Sequence, residues 1–120
     1  MFSYKADKQK NILEFHFEGE FEDLDVAKAA NAIKAEIDSL KPGFAIISDI
    51  SRLETCDDMY IPIIREVMEF LGKHNPGHVI RIVGNELPDQ NFQKAWNNEH
   101  VDYKVTRVSS YEEALALLEQ

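Results

Sequence analysis

The sequence of 120 residues has a single cysteine, few basic side chains and no long apolar run. The lone Cys56 excludes an internal disulfide framework and is typical of a protein in a reducing compartment. No apolar stretch approaches the roughly 20 residues of a membrane-spanning helix, and the alternating amino terminus does not resemble a signal peptide. We therefore predict a cytoplasmic protein without stable membrane insertion.

Basic side chains are scarce, because 13 Lys and Arg residues oppose 22 Asp and Glu residues and leave a net charge of −9. They are scattered along the chain, so the average field repels a phosphate backbone, and we expect no nucleic-acid partner. The fractions of hydrophobic residues (44%) and charged residues (29%) are ordinary for a globular protein. The length predicts one domain over residues 1–120.

The first part of the sequence predicts a β-hairpin followed by a helix. Apolar and polar side chains alternate on both sides of a polar break within residues 2–17, which is typical of two antiparallel strands with one buried face. Over residues 26–40 the apolar spacing changes to four and three, the period of an amphipathic helix. Asp23 or Asp25 is suited to cap this helix, and Pro42-Gly43 should end it.

The rest of the sequence alternates strands with helices. Apolar runs predict strands at residues 44–47 and 79–83, and alternating side chains predict another at residues 103–108. One helix should start at Asp58 or just after it, because Pro62 is tolerated only in a first turn. Another should open at Pro88, and Ser110 with Glu113 forms a capping box for the last helix.

The predicted order of elements, β-β-α-β-α-β-α-β-α, defines an α/β sandwich. Strands that alternate with helices pair in parallel through right-handed crossovers. We therefore predict a mixed, mostly parallel sheet of about four or five strands, extended by the amino-terminal hairpin and arranged in two or three layers.

The segment after the third strand is the first candidate for a functional surface. The apolar run that begins at Phe44 continues into a polar loop that ends at a helix start, and binding sites in open α/β sheets lie at such carboxyl ends of strands. The candidate residues for binding a protein partner are Ser51, Thr55, Cys56, Asp57, Asp58, Met59 and Tyr60.

The order of elements, together with the run Ile46-Ile-Ser-Asp-Ile-Ser-Arg-Leu-Glu-Thr-Cys-Asp-Asp-Met, resembles the STAS domain of the anti-sigma factor antagonists. The resemblance in element order covers nearly the whole chain and implies a STAS-like fold, whereas the residue-level resemblance is confined to this junction. Small stand-alone STAS-like proteins, some of them likened to lipid-carrier folds, are similar as well.

In the STAS family, a partner kinase phosphorylates the hydroxyl residue that follows an aspartate at this helix start, and the same surface docks on the partner. When Asp57 is laid on that aspartate, Asp58 replaces the phosphorylated residue, and Met59-Tyr60 replaces a second hydroxyl residue and a glycine. The resemblance therefore implies a docking surface with a fixed charge and without the kinase-controlled switch.

The same residues also have structural interpretations. Asp57 and Asp58 can cap the helix, since carboxylates satisfy the free N–H groups of its first turn. A helix start lowers the pKa of a thiol, but two adjacent carboxylates oppose that effect at Cys56. No acid–base pair, nucleophile triad or set of metal ligands is evident, so we predict a protein that is not an enzyme and binds no cofactor or metal.

A carrier of a lipid or another apolar small molecule is the alternative function. Phe92 and Trp96 fall four residues apart on one face of the third helix, and the preceding strand ends at Gly84. An apolar pocket between that helix and the sheet would be lined by Gly84, Asn85, Leu87, Phe92 and Trp96. The identity of the partner or ligand stays open, as does self-association into a homodimer.

Overall fold

The structure, a computed structural model, describes residues 1–96 and 103–119, which form five strands and four α-helices. The strands are β1 (Phe2–Asp7), β2 (Ile12–Glu20), β3 (Ala45–Thr55), β4 (Val79–Ile82) and β5 (Val105–Val108). The helices are α1 (Asp23–Glu36), α2 (Ile61–Gly72), α3 (Glu86–Ala95) and α4 (Tyr111–Leu118). The 3-10 turn Ile37–Ser39 follows α1, and the 3-10 turn Asp58–Tyr60 precedes α2. The predicted order of elements is confirmed.

The five strands form one mixed sheet in the order β1-β2-β3-β4-β5. The hairpin pair β1 and β2 is antiparallel, and every later pair is parallel. Helices α1, α2 and α3 pack on one face, and α4 packs on the other. The sheet is therefore mostly parallel, as predicted, and the fold has three layers.

A larger and a smaller core lie on the two faces of the sheet. On the three-helix face, Phe17, Phe21 and Phe92 form an aromatic cluster with ring centroids 5.4 to 6.1 Å apart. The smaller core under α4 consists of Ile47, Ile80, Ile82, Val108 and Ala114. Because helices cover both faces, all four residues of β4 are buried. This burial explains why β4 reads as a continuous apolar run broken only by Arg81.

Strand β3 is much longer than its apolar run indicates. The prediction that the chain becomes a polar loop after Ile47 was wrong, since β3 continues to Thr55. Its polar stretch still pairs with β2, and a register shift between His16 and Glu18 keeps the two strands together. Ile50 and Leu53 are completely buried within this stretch. The candidate docking segment is therefore the end of a central strand, followed by a helical turn.

Two helix starts also differ from the predictions. The cap of α1 is Glu22, and Asp25 instead accepts a hydrogen bond from the Glu22 N–H at 3.0 Å. Helix α3 begins two residues before Pro88, which still lies in the first turn, where its missing N–H is tolerated. The helix predicted to start at Asp58 or just after it is α2, which begins at Ile61 after the 3-10 turn and has Pro62 in its first turn.

The other helix ends agree only in part with the sequence pattern. The Ser110 hydroxyl accepts the Glu113 N–H at 3.2 Å, as the capping box predicts, but the Glu113 carboxylate accepts from the Ser109 hydroxyl at 2.6 Å. Trp96 lies just past α3 in an extended conformation, and its indole donates to the Tyr103 carbonyl at 2.8 Å.

Gly84 allows the loop after β4 to approach the backbone of β3, which generates a prediction for stability. A Cβ at Gly84 would overlap the Ser51 carbonyl oxygen and lie 2.9 Å from its Cα. We expect Gly84→Ala to lower the free energy of unfolding by about 1–3 kcal/mol, measured by urea denaturation. Gly72→Ala is the matched control, because its Cβ would only contact the Tyr103 ring at 3.5 Å. Equal stability of the two variants would contradict the close approach.

Candidate functional site

An open groove lies at the carboxyl edge of the sheet, on the three-helix side. It has a volume of about 730 Å³ and runs between the β2–α1 connection, the end of β3 with its 3-10 turn, and α3. We call it the edge groove. Its lining consists of Glu20, Phe21, Glu22, Glu54, Thr55, Cys56, Asp57, Asp58, Met59, Tyr60, Leu87, Gln90, Asn91 and Lys94.

Six of the seven candidate docking residues lie together in the edge groove. They are Thr55, Cys56, Asp57, Asp58, Met59 and Tyr60. Ser51 is separate from them, because it belongs to a pocket on the α4 side of the sheet. There the Asp49 carboxylate accepts hydrogen bonds from the Ser51 hydroxyl at 2.6 Å and from the Ser51 N–H at 3.0 Å.

The two aspartates have roles in the fold as well as exposed charges. Asp57 caps the 3-10 turn, since its carboxylate accepts the Met59 N–H at 3.0 Å. Asp58 accepts from the Asn91 side chain at 3.0 Å, which connects the turn to α3. Both residues are nevertheless exposed in the groove. The capping interpretation of Asp57 therefore fits the structure without removing the charge from the surface.

Asn91 is a groove residue that the sequence pattern did not indicate. Its buried amide donates to the Cys56 carbonyl at 2.5 Å and to the Asp58 carboxylate. An asparagine inside a helix gives no local signal for such contacts, because the acceptors lie more than 30 residues earlier in the chain. This side chain holds the helix wall of the groove against the end of β3.

Cys56 and Tyr60 are buried at the floor of the groove. Burial, together with the Asp57 and Asp58 carboxylates, raises the pKa of Cys56 to about 12, so the thiol keeps its proton at neutral pH. Burial and a hydrogen bond to Asp23 raise the pKa of Tyr60. Neither group is ionised as a nucleophile at neutral pH, and Cys56 is better described as a small buried side chain.

The rim of the groove combines exposed apolar side chains with acidic ones. Met59 is 64% exposed and Leu87 is 72% exposed. Leu24, 60% exposed, lies nearby in the first turn of α1. The charged lining residues are five carboxylates and one ammonium group, on Glu20, Glu22, Glu54, Asp57, Asp58 and Lys94.

The residues of the alternative ligand pocket do not line one common space. Leu87 lies in the edge groove, and Phe92 lies in the core. Asn85 donates through its side chain to the Leu53 carbonyl at 2.7 Å. Gly84 contacts the β3 backbone, and Trp96 packs at the end of α3.

An internal cavity does lie between the sheet and helices α1, α2 and α3. Its volume is about 70 Å³, and its lining is apolar apart from Ser48, Arg81 and Tyr103. Pockets for drug-sized ligands usually measure about 300–1,000 Å³. Phe92 is the one predicted pocket residue among those that line it.

No protein-family model matches the chain, and no curated protein sequence matches it. Solved structures with a similar fold include the unphosphorylated anti-sigma factor antagonist SpoIIAA, with a TM-score of 0.66, 15% identity and coverage of 99% of this chain and 98% of that one. An uncharacterised protein with a SpoIIAA-like fold from Shewanella loihica has a TM-score of 0.71 and 17% identity, over 98% and 93% of the two chains.

An anti-sigma factor antagonist from Mycobacterium paratuberculosis is similar too, with a TM-score of 0.63 and 14% identity over 100% of this chain and 96% of that one. At such identities the likeness concerns the fold, and it confirms the STAS-like architecture that the sequence predicts. Within residues 1–96 and 103–119, no helix is long and apolar enough to cross a membrane. The same residues contain no group of three side chains suited to hold a metal ion.

The buried environment of Cys56 predicts that its thiol reacts slowly and that its contribution to stability depends on pH. At pH 8 we expect a disulfide reagent such as DTNB to label the native protein much more slowly than the protein unfolded in guanidinium chloride. Because the unfolded thiol ionises near pH 9.0 and the native one near 12, the stability advantage of the wild type over Cys56→Ala should shrink as pH rises across that range. Equally fast labelling of the folded and unfolded protein would contradict the buried placement.

Proposed function

We propose that this protein is a non-catalytic interaction domain that binds a protein partner in the edge groove. The observation that carries the proposal is the exposure of Met59 and Leu87 on opposite walls of one groove. Large apolar side chains that stay exposed in one groove are typical of sites that another molecule covers. Methionine and leucine supply apolar area that a partner can bury, and the acidic rim can orient it.

The charge of the groove indicates which partner it fits. Five carboxylates against one lysine produce a negative potential around the apolar side chains. A partner segment should therefore present an apolar side chain flanked by lysine or arginine. Electrostatic complementarity of this kind mainly raises the association rate and selects among partners.

The fold supports a protein-binding role, because solved structures that share it include anti-sigma factor antagonists, a name that describes action on another protein. In this chain Asp58 supplies a permanent carboxylate that Asn91 holds in place. We infer that binding is constitutive, without the phosphorylation switch of the STAS family. A cytoplasmic location and the absence of catalysis belong to the same proposal.

Substitution of the apolar rim tests the proposal. We expect Leu87→Ala combined with Met59→Ala to reduce partner recovery at least roughly tenfold, since two anchors of more than 1 kcal/mol each would be lost. Recovery is measured by quantitative mass spectrometry after affinity purification from native lysate, and thermal melting checks the fold. Leu115→Ala on α4 is the matched control, because it removes an exposed leucine outside the groove.

A partner counts as specific only if its recovery depends on the groove variants and not on Leu115→Ala. If every protein recovered with the wild type is recovered equally with the groove variants, the edge groove is not the docking site. If a second copy of this chain is recovered with the wild type but not with the groove variants, the protein forms a homodimer through the edge groove.

The second candidate is a carrier of an apolar small molecule, which would have to use the internal cavity between the sheet and helices α1, α2 and α3. Because about 70 Å³ is far below the usual size of a ligand pocket, we expect native mass spectrometry of the purified protein to give the mass of the chain alone. A co-purifying apolar molecule that is lost in a cavity-filling variant, Ala29→Leu, would instead establish the carrier function. Ala29 is suited to this test because it lines the cavity.

A further inference from the structure

A second pocket lies on the opposite face of the sheet, beside α4 and over the middle of β2 and β3. It has a volume of about 340 Å³ and is separated from the edge groove by the sheet itself. Its lining includes His16, Asp49, Ser51, Arg52, Ser110 and Tyr111. We call it the α4-side pocket. Its floor consists of the middle of β2 and β3 and the carboxyl end of β4 at Ile82. The carboxyl ends of parallel strands are the usual place for small-molecule sites in α/β sheets.

The polar side chains of this pocket form a continuous chain of polar contacts. The Ser51 hydroxyl donates to Asp49 at 2.6 Å, and the other Asp49 oxygen lies 3.4 Å from His16 Nδ1. On the far side, His16 Nε2 lies 3.4 Å from the Glu14 carboxylate, which also accepts from the Tyr111 hydroxyl. Glu14 is buried, so the chain is anchored beneath the surface. Side chains fixed in this way are organised before any ligand arrives.

The ordered groups retain capacity for further hydrogen bonds of both kinds. The Ser110 hydroxyl accepts the Glu113 N–H and can still donate its own proton. Asp49 keeps a free lone pair on the oxygen that faces His16. The Arg52 side chain is 80% exposed and contacts Glu18 at 3.6 Å, which leaves most of its five N–H donors free. Donors and acceptors side by side match hydroxyl groups, because each hydroxyl both donates and accepts.

Charge and shape narrow the class of ligand further. The carboxylates of Asp49 and Glu18 oppose Arg52, so the lining does not favour a strongly anionic molecule. The Tyr111 ring and Ile82 supply an apolar wall on which the C–H face of a sugar ring can pack. Burial and the Glu14 carboxylate raise the pKa of Tyr111 to about 12, so its hydroxyl keeps the proton that it donates. A volume near the lower end of the range for ligand pockets suits a single ring.

We propose that the α4-side pocket binds a small neutral polyhydroxylated molecule, of the size of a monosaccharide or a cyclitol. This site is independent of the edge groove, because the two lie on opposite faces of the sheet. A protein partner and a small ligand can therefore bind at the same time.

The test is a titration of the 15N-labelled protein with D-glucose, D-ribose and myo-inositol, followed by NMR. We expect at least one of them to give saturable amide shifts confined to residues of the pocket, with a Kd on the order of 1 mM. Arg52→Ala removes an exposed donor without disturbing the core, and it should weaken binding roughly tenfold. His16→Ala should do the same, because it removes a lining side chain that lies between Asp49 and Glu14. Asp38→Asn, exposed in the 3-10 turn after α1, is the control and should bind as the wild type does.

Titrations with two charged sugars distinguish a site for neutral molecules from a site for charged ones. Glucosamine presents a cation and glucose 6-phosphate an anion on the same ring. Saturable shifts with only one of these charged sugars would overturn the proposal in favour of a charged ligand. Absence of saturable shifts with all three neutral compounds, or equal affinity of Arg52→Ala and the wild type, would overturn it as well. None of these results bears on the edge groove, whose variants lie on the other face.

Discussion

A buried carboxylate, Asp89, ties helix α3 to strands β4 and β5. It accepts hydrogen bonds from Arg107 of β5, one of them at 3.2 Å, and lies 3.4 Å from the guanidinium of Arg81 in β4. Burial lowers the pKa of Arg81, and the Asp89 carboxylate opposes that effect. Removing one member of a buried ion pair typically costs about 3–5 kcal/mol, because the other charge is left without compensation. Helix α3, which forms one wall of the edge groove, therefore cannot separate from the sheet without breaking the buried ion pair between Asp89 and Arg81.

The helical period places the side chains of α3 in three different environments. Leu87 and Asn91, four residues apart, face the edge groove. Phe92 and Ala95 face the core, where the Arg81 guanidinium lies 5.7 Å from the centroid of the Phe92 ring. Asp89 lies on the side of the helix away from the groove and pairs with Arg81 of β4 and Arg107 of β5. A change in the position of α3 would alter the groove and the internal cavity together, since both use it as a wall.

Local patterns were sufficient for the order of the elements, because each strand or helix shows its own period. They failed at β3, where polar residues such as Asp49 belong to a strand that a register shift keeps paired with β2. They also failed for Asn91, Arg81 and Asp89, whose partners are distant in sequence or on other elements. The position of six candidate docking residues at the strand end could be predicted, since it depends on element order. The opposite wall of the groove could not, since tertiary contacts determine it.

The acidic character of the edge groove is only partly explained by the fold. Asp57 caps a turn and Asp58 bonds to Asn91, so both carboxylates stabilise local structure. Glu20 and Glu54 are different: within residues 1–96 and 103–119 neither forms a salt bridge, although both are exposed in the same groove. Five carboxylates that share a groove with a single ammonium group repel one another and destabilise the free protein. A partner that brings positive charge would relieve this repulsion, and that gain adds to the burial of the apolar rim.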